Sequence, residues 1–442
     1  MSDTPSIFDR LNSWVRGSVS LKLATICFLI LLLLIPNSML QDIIRERLQL
    51  RNEAVTEVSS KWGGEQTIGG PIISIPYMTP VKDENNQIVN RKYYAHFLPD
   101  NISIVGNLTP EKRYRGIYIV VLYKGEMHLQ GHFSKLNFDA AGVSPSSLLF
   151  NEAIMTVGIK DMKGIKNKVV VKLNDKAIEA EPGTISNDIQ ASGINIPLTL
   201  RASDTLFNFA LDIQLNGSSE INFLPFGKET DVKLSSKWAN PSFQGDFLPD
   251  DRTVTESEFT AHWHILQLNR NFPQQGIGGF IRDNAAFGVK LILPVDEYQK
   301  TTRSAKYGVM FIIITFLSFF FIEILNRRRI HPIQYLLVGF AIVLFYLLLL
   351  SISEHLSFNS SYLVSSVITL LLITSYAWFV FDNRKLTAIF AGILAVLYVF
   401  FYSILQLQDY SLLLGSGGLL LILASIMYLT RKIDWYNWNK GS

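Results

Sequence analysis

Six long apolar stretches constrain this chain more than any other feature of its sequence. Each is long enough to cross a hydrocarbon layer about 30 Å thick, which takes about 20 residues of α-helix. The first lies near the N-terminus, and the other five follow one another in the last third of the chain. The stretches cover residues 21–40, 307–325, 333–351, 361–381, 386–405 and 411–430. The sequence therefore predicts a bundle of six transmembrane helices in contact with the lipid bilayer.

Basic residues next to the spans predict how the chain is threaded, because Lys and Arg are enriched in short cytoplasmic loops. They occur before the first span and after the second, fourth and sixth: Arg10, Arg16, Arg327, Arg328, Arg329, Arg384, Lys385, Arg431, Lys432 and Lys440. The alternate short loops, 351–359 and 406–410, contain no Lys or Arg. This alternation predicts a multi-pass protein of a bacterial inner (cytoplasmic) membrane with both termini in the cytoplasm.

The same threading predicts the domain organisation. The expected segments are a cytoplasmic N-terminus (1–20), a transmembrane signal anchor (21–40), a periplasmic domain (41–306) that begins with a stalk helix (41–60), a five-helix transmembrane bundle (307–430) and a cytoplasmic tail (431–442). A cleaved signal peptide is the alternative for the first span. It is disfavoured because the apolar run is nearer 20 residues than 12 and no small-residue cleavage site follows it.

Composition limits what the exported domain can bind. Residues 41–306 carry 29 basic and 30 acidic side chains, so the surplus of positive charge lies beside the membrane. A nearly neutral domain is not typical of nucleic-acid binding. Cys27 is the one cysteine of the sequence, which excludes an intrachain disulfide, so the domain depends on its own hydrophobic core.

Alternating apolar residues predict that residues 41–306 form a large β-rich, sandwich-like domain. The predicted strands include 117–123, 127–133, 207–215, 231–238 and 259–266, with Gly and Pro between them. The sequence FLPD occurs at 97–100 and again at 247–250, and FLP occurs at 223–225. A duplicated β unit would explain this echo, and chance is the alternative.

Motifs of catalysis are missing from the sequence, which holds no phosphate loop, GxSxG, HExxH or CxxC. His262 and His264 alternate with Trp263 on one predicted strand, so both imidazoles share a face at a spacing that a metal could use. Further ligands would have to come from His96, His128, His132 or a carboxylate. The simpler interpretation places Phe259, Ala261, Trp263 and Ile265 in the core and the two histidines in water. No cofactor or metal is predicted.

Charged residues near the membrane are the other functional candidates. Glu323, near the end of the second span, is four residues before Arg327 and is predicted to pair with it. Glu354 and His355 lie at the outer edge of the third span. A polar cavity between these two residues and Tyr335 would favour a membrane-embedded enzyme or transporter, whereas a packed bundle would favour a non-enzymatic protein.

Several longer segments resemble the CreD family. In the membrane part they are HPIQYLLVGFAIVLFYLLLLSISEH (331–355), YQKTTRSAKYGVMFIIITFLSFFFIE (298–323), LLLGSGGL (412–419) and LTRKIDWY (429–436). In the outer domain they are GGPIISIPY (69–77), HFLPD (96–100), NPSFQGDFLP (240–249) and FTAHW (259–263). The resemblance implies an inner-membrane protein of Gram-negative bacteria associated with cell-envelope integrity, colicin tolerance and an envelope-stress regulon, and it implies no set of catalytic residues.

Together these observations predict a non-enzymatic protein that maintains the cell envelope under stress. Its expected partners are an envelope protein, a lipid or a cell-wall component, bound by the β-rich domain. The alternative is a membrane enzyme or transporter with a site near Glu354 and His355.

Overall fold

The computed structural model describes residues 19–82, 86–174, 176–202, 204–281, 285–293, 297–326, 330–407 and 410–431. The chain divides into two compact units. The membrane unit comprises residues 1–50 and 295–442, and the β-rich unit comprises residues 51–294. The predicted basic positions Arg10, Arg16, Arg327 to Arg329, Lys432 and Lys440 lie outside the described residues.

Apolar helices dominate the membrane unit. The described helices of the chain are α1 (Val19–Trp62), α2 (Glu297–Lys306), α3 (Gly308–Leu325), α4 (Pro332–Ser353), α5 (Phe358–Phe381), α6 (Arg384–Gln406) and α7 (Ser411–Thr430). Among the described residues, α1, α3, α4, α5 and α6 are long and apolar enough to cross a membrane. The sixth predicted crossing coincides with α7, whose described apolar part, Leu413–Tyr428, is shorter.

Local signals explain where these helices start. Asn383 accepts hydrogen bonds from the backbone N–H groups of Lys385 and Leu386, which caps the N-terminus of α6. Ser357 caps α5 through the N–H of Ser360. α1 continues without a break from the apolar segment into the predicted stalk. It has 44 residues and a length of about 66 Å. Its residues up to 50 are part of the membrane unit, and those from 51 onward are part of the β-rich unit.

Two sheets build the β-rich unit. Within the described residues the first sheet has nine strands, namely β1 (Gln66–Lys82), β2 (Ile88–Phe97), β5 (Ala153–Ile159), β8 (Glu181–Pro182), β9 (Gly193–Leu198), β11 (Glu220–Phe223), β13 (Pro241–Gly245), β16 (Gln275–Ile277) and β17 (Phe287–Leu291). The second has eight, namely β3 (Asn101–Arg115), β4 (Tyr118–Phe133), β6 (Val170–Leu173), β7 (Lys176–Glu179), β10 (Phe207–Ser218), β12 (Glu229–Ser236), β14 (Asp251–Val254) and β15 (Phe259–Leu266). The strands predicted at 117–123 and 127–133 are one continuous strand, β4.

The core between the sheets is formed by the inward residues of both. Phe223 and Phe287 of the first sheet and Phe133, Phe259 and Trp263 of the second are fully or almost fully buried in one cluster. Each such side chain contributes on the order of 2–3 kcal/mol through the apolar area that it removes from water. Most strands are antiparallel, but β1 pairs in parallel with β11, and β3 pairs in parallel with β12.

All three copies of the FLP sequence lie where the chain passes from the first sheet to the second. They follow β2, β11 and β13 and lead into β3, β12 and β14. Arg270, which is 7% exposed, and Gln274 connect two of these sheet-to-sheet segments, those after β2 and β11. Arg270 donates to the carbonyl groups of Phe226 and Gly227, and Gln274 donates to those of Pro99 and Phe226. The echo in the sequence therefore marks a shared structural role.

Candidate functional site

Glu323 is the most deeply buried carboxylate of the membrane unit among the described residues, at 3% exposure. It accepts hydrogen bonds from Lys22 of α1 (Nζ–Oε1, 2.7 Å), from Tyr335 of α4 (Oη–Oε2, 2.9 Å) and from the backbone N–H of Ile330 (3.1 Å). The sequence predicted Arg327 as its partner, but Arg327 lies outside the described residues. Both carboxylate oxygens accept hydrogen bonds, so Glu323 of α3 connects its own helix to α1 and α4.

Glu354 immediately follows the C-terminus of α4. Its Oε1 lies 3.4 Å from Nε of Arg47 in α1, and the neighbouring His355 is exposed. Tyr335 is near the other end of α4, about 28 Å away along the helix axis. Glu354 and His355 therefore do not share one small cavity with Tyr335, because α4 separates them from Tyr335.

His262 and His264 lie on β15 and share one carboxylate. Asp231 Oδ1 is 3.3 Å from His262 Nε2 and 3.0 Å from His264 Nδ1. The hydrogen bond that His264 makes to the Asp231 carboxylate raises the pKa of His264 above its ordinary value. Among the described residues no group of three or more His, Cys, Asp or Glu side chains is arranged to hold a metal ion. The intervening residues Phe259, Ala261, Trp263 and Ile265 are buried as predicted.

These histidines belong to a polar surface on the side of the eight-stranded sheet that faces away from the core. We call it the open face and define it by Val105, His128, Asp231, Lys233, His262 and His264. Cross-strand pairing sets Val105 between His128 and Lys233, and sets Lys233 beside His262. A cavity of about 330 Å³ opens on this face between Val105, Lys233 and the β14 residues Asp251 and Arg252.

The corresponding side of the nine-stranded sheet is covered, and His96 lies on the covered face. Two segments, 183–192 and 267–281, pack against it and bury Ile72, Leu98, Leu224 and Phe226 in a small second core. The second segment also contributes the edge strand β16. His96, on β2, is 3% exposed and lies opposite Ser74 of β1. One covering segment supplies Asp188 and the other supplies Phe280, whose ring lies 6.4 Å from the imidazole.

The hydrogen bonds of His96 connect the sheet to the first covering segment. Ser74 Oγ is 2.8 Å from Nδ1, and Asp188 Oδ2 is 3.2 Å from Nε2. Burial lowers the pKa of His96 below its ordinary value, although the hydrogen bond to Asp188 acts in the opposite direction. The neutral imidazole therefore accepts the Ser74 proton at Nδ1 and donates its Nε2–H to Asp188.

This Ser–His–Asp arrangement has the residue types of a hydrolytic triad but little space for a substrate. The adjoining cavity, lined by Ser74, His96, Thr156 and Gln190, measures only about 20 Å³, enough for one water molecule. Gln190 is pressed against the sheet so closely that a Cβ on Gly158 would lie 2.3 Å from its Oε1. The arrangement is suited to holding the segment 183–192 in place.

The sequence pattern predicted His96 only as a possible further ligand for a metal at His262 and His264. It did not identify Ser74 or Asp188 as functional candidates. One signal was available, because Ser74 is a polar residue inside the apolar run GGPIISIPY. A strand that is buried on both faces forces such a residue to find a hydrogen-bond partner. Nothing in the sequence identifies that partner, since 22 residues separate Ser74 from His96 and 92 separate His96 from Asp188.

A set of apolar helices joined to a large two-sheet unit defines this chain as an integral membrane protein with a substantial β-rich domain. The chain belongs to the CreD family of inner membrane proteins. The sequence profile described as "Inner membrane protein CreD" matches residues 18–436. The chain is 33% identical over 429 residues to the inner membrane protein CreD of Escherichia coli (strain K12), covering 94% of this chain and 93% of that protein.

Two solved structures are similar to parts of this chain at low overall agreement. Two crystal structures of an M1 zinc metallopeptidase from Deinococcus radiodurans, one of them a mutant bound to a Tyr-Ser-Ala substrate, align with TM-scores of 0.18 and 0.19. Each is 9% identical and covers 43% of this chain and 42% of the peptidase. Similarity at this level carries no information about the activity of the chain.

Proposed function

We propose that this chain is a six-pass inner-membrane protein that uses a periplasmic β-rich unit to bind an envelope component and maintain cell-envelope integrity under stress, without catalysing a reaction. The open face of the eight-stranded sheet is the observation that carries this proposal. It is a broad, unoccluded sheet surface with a cavity of about 330 Å³, whereas the other sheet is covered.

Contacts within the membrane unit support the proposed threading. Lys22, near the start of α1, contacts Glu323, which also binds Tyr335 near the start of α4. Arg47, 25 residues further along α1, contacts Glu354 just after the end of α4. The two helices therefore run in the same direction, as the first and third of six alternating crossings should. In this arrangement α7 is the sixth crossing and both termini are cytoplasmic.

The chemistry of the open face favours a polar partner without a strong net charge. Asp231 is held by His262 and His264, and Asp212 is held by His128 at 2.7 Å. The opposite charges of Asp251 and Arg252 remain beside the exposed Val105, together with Lys233 and hydroxyl groups. An envelope protein, a lipid headgroup or a cell-wall saccharide could be bound by such a surface through hydrogen bonds and one apolar contact.

Photo-crosslinking in intact cells tests the proposal. A photoreactive residue at Thr260, in the wall of the cavity, should capture an envelope component. The matched control is Ile88 of β2, which is 73% exposed but lies in the other sheet. Capture from Thr260 alone supports the proposal. Equal capture from both positions, or none from either, would contradict it.

Hydrolysis by Ser74 is the second candidate function, because its Oγ–H is hydrogen bonded to a histidine that in turn contacts a carboxylate. We assign the arrangement a structural role, since Ser74 is only 4% exposed beside a one-water cavity. A fluorophosphonate probe applied to the full-length protein should leave Ser74 unlabelled. Labelling that disappears in Ser74→Ala would establish the enzyme instead. For a membrane site at Glu354 and His355, the test is the double alanine variant, which should retain the envelope phenotype.

A further inference from the structure

A cavity between α5 and α6 has features that the proposed envelope-binding function does not use. It measures about 410 Å³, and its lining includes Asn359, Tyr362, Leu363, Ser366, Tyr398 and Tyr402. Tyrosine and serine hydroxyl groups thus line a depression at the surface of helices that cross the membrane. Leu363 and Val399, at its rim, are largely exposed on the surface that faces lipid.

The cavity extends from the ends of the helices into the hydrocarbon region. Ser366 is eight residues into α5, and Tyr398 is eight residues before the end of α6, so each lies about 12 Å from its helix terminus. A ligand in the cavity would therefore occupy both the interfacial zone and the outer part of the acyl-chain region. This range of depth matches a molecule with a polar head and an apolar chain.

Tyrosine side chains form the polar part of the cavity wall. Tyr362 donates its hydroxyl hydrogen to the backbone carbonyl of Tyr398 (2.9 Å), and the hydroxyl of Tyr398 itself is buried beside Thr369. Tyr402 also lines the cavity, four residues before the end of α6. Its hydroxyl group can donate a hydrogen bond to an ester carbonyl of a bound lipid.

A lysine is connected to the cavity lining through two hydrogen bonds. Asn359, which lines the cavity, is hydrogen bonded to Gln406 at the end of α6, and Gln406 accepts a hydrogen bond of 2.9 Å from Lys300 of α2. The ammonium group also lies 5.5 Å from the centre of the Phe358 ring. A positive charge at the level of the headgroups attracts a phosphate.

We propose that this cavity is a specific binding site for one anionic phospholipid of the bilayer. An acyl chain lies between Leu363 and Val399, the glycerol ester region reaches Tyr402 and Ser366, and the phosphate lies near Lys300. A larger groove of about 830 Å³ between α3, α6 and α7 has an almost entirely apolar lining. The polar side chains that line it, Ser318, Asn326 and Ser425, donate to carbonyl groups of their own helices, so we assign no specific ligand to this groove.

Counting the lipids that remain bound to the full-length protein in a mild detergent tests the site. Leu363→Trp fills the cavity rim. Leu371→Trp is the matched control, because Leu371 is on the same helix and 65% exposed, compared with 64% for Leu363, but does not line the cavity. We expect native mass spectrometry to show one tightly held lipid on the wild type and on Leu371→Trp. Leu363→Trp should bind it at least about tenfold more weakly.

Two further variants separate the parts of the site. Val399→Trp narrows the opposite rim and should reproduce the loss, which keeps the test valid if Leu363→Trp fails to fold. Lys300→Gln should retain a lipid but lose the preference for anionic over zwitterionic headgroups. Inorganic phosphate at millimolar concentration should not displace the lipid. Equal lipid retention in all tryptophan variants, or displacement by phosphate, would overturn the proposal.

Discussion

The two sheets of the β-rich unit share one core but present opposite outer faces. The nine-stranded sheet is covered by the segments 183–192 and 267–281, and its central strand β1 is buried without interruption from Ile68 to Pro76. The eight-stranded sheet leaves its outer face open, so buried and exposed residues alternate along β10, β12 and β15. The same residue type therefore has different roles on the two faces. His96 is buried and hydrogen bonded to a covering segment, whereas His264 is exposed to solvent.

This difference teaches where polar residues stabilise the fold and where they remain available for binding. On the covered face, Arg270, Gln274 and His96 make hydrogen bonds that water cannot replace. On the open face, His262, His264 and Asp231 make contacts that compete with solvent and are correspondingly weak. Substitutions should therefore lower stability on the covered face and alter recognition on the open face.

Arg270→Met should give the largest loss of stability. It removes the donors to the carbonyl groups of Phe226, Gly227 and Phe272, which would stay buried. We expect the free energy of unfolding of the β-rich unit to fall by about 3–5 kcal/mol. Denaturant unfolding of the full-length protein measures this loss. Hydrogen exchange at the amide of Leu98 reports the same effect locally.

Arg252→Met on β14 is the matched control from the other sheet. Arg252 is exposed, and its guanidinium lies 5.7 Å from the centre of the Phe243 ring. The expected loss is below about 1 kcal/mol. Similar losses for the two arginine variants would show that the covered and open faces do not differ as described.

His96→Phe should rank second. The ring volume is retained, but Ser74 Oγ and Asp188 lose their partner under the covering segment. We expect a loss of about 2–3 kcal/mol, together with faster hydrogen exchange in residues 183–192. His128→Phe on the open face, where the imidazole contacts Asp212, should cost less than about 1 kcal/mol. If the two phenylalanine variants are equally stable, His96 does not hold the covering segment.

Gly158→Ala should produce a smaller and local effect. The new methyl group would collide with the Gln190 side chain, so the segment 183–192 must shift away from β5. We expect a loss of about 1–2 kcal/mol. Adding Gln190→Ala should recover most of this loss, because it removes the colliding atoms. Strictly additive effects in the double variant would rule out this contact as the cause.

The smallest expected effect is a pH dependence of opposite sign for the two histidines. The pKa of His96 is lowered in the folded protein, so the unfolded chain binds more protons, and stability falls as the pH drops through about 6.5. The pKa of His264 is raised, so its stabilising contribution is complete below about 6.5 and is lost as the pH rises through its folded-state pKa.

Unfolding midpoints recorded between about pH 5 and pH 7.5 measure the contribution of each histidine to stability. His96→Gln should remove the loss of stability on acidification, and His264→Gln should make that loss slightly steeper. The contribution of His264 is the weaker one, because its side chain is half exposed. An unchanged pH profile in His96→Gln would contradict the assignment of a buried neutral imidazole.

Local patterns predicted most of the architecture. The five apolar stretches that meet the criteria for a membrane span coincide with α1, α3, α4, α5 and α6 to within a few residues at most ends, and the predicted strand 259–266 has the observed bounds of β15. Both signals depend on neighbouring residues alone. The alternation in FTAHWHIL also predicted correctly that His262 and His264 lie outside the core.

Local patterns did not predict which residues pair with partners far away in the sequence. Glu323 was assigned a neighbour four residues away, yet among the described residues it is bound by Lys22, 301 positions distant. The small second core, the covering segments and the pairing of His96 with Asp188 likewise depend on the order of strands in a sheet. Hydropathy does not encode that order.

The sequence by itself determined which segments are apolar enough to enter a membrane and which strands turn one side to water, because both properties are sums over consecutive residues. Only the tertiary structure decided which sheet is covered, which carboxylate meets which cation and where the cavities lie. Those features arise when strands and helices far apart in the chain are packed side by side, and burial then makes the resulting hydrogen bonds strong.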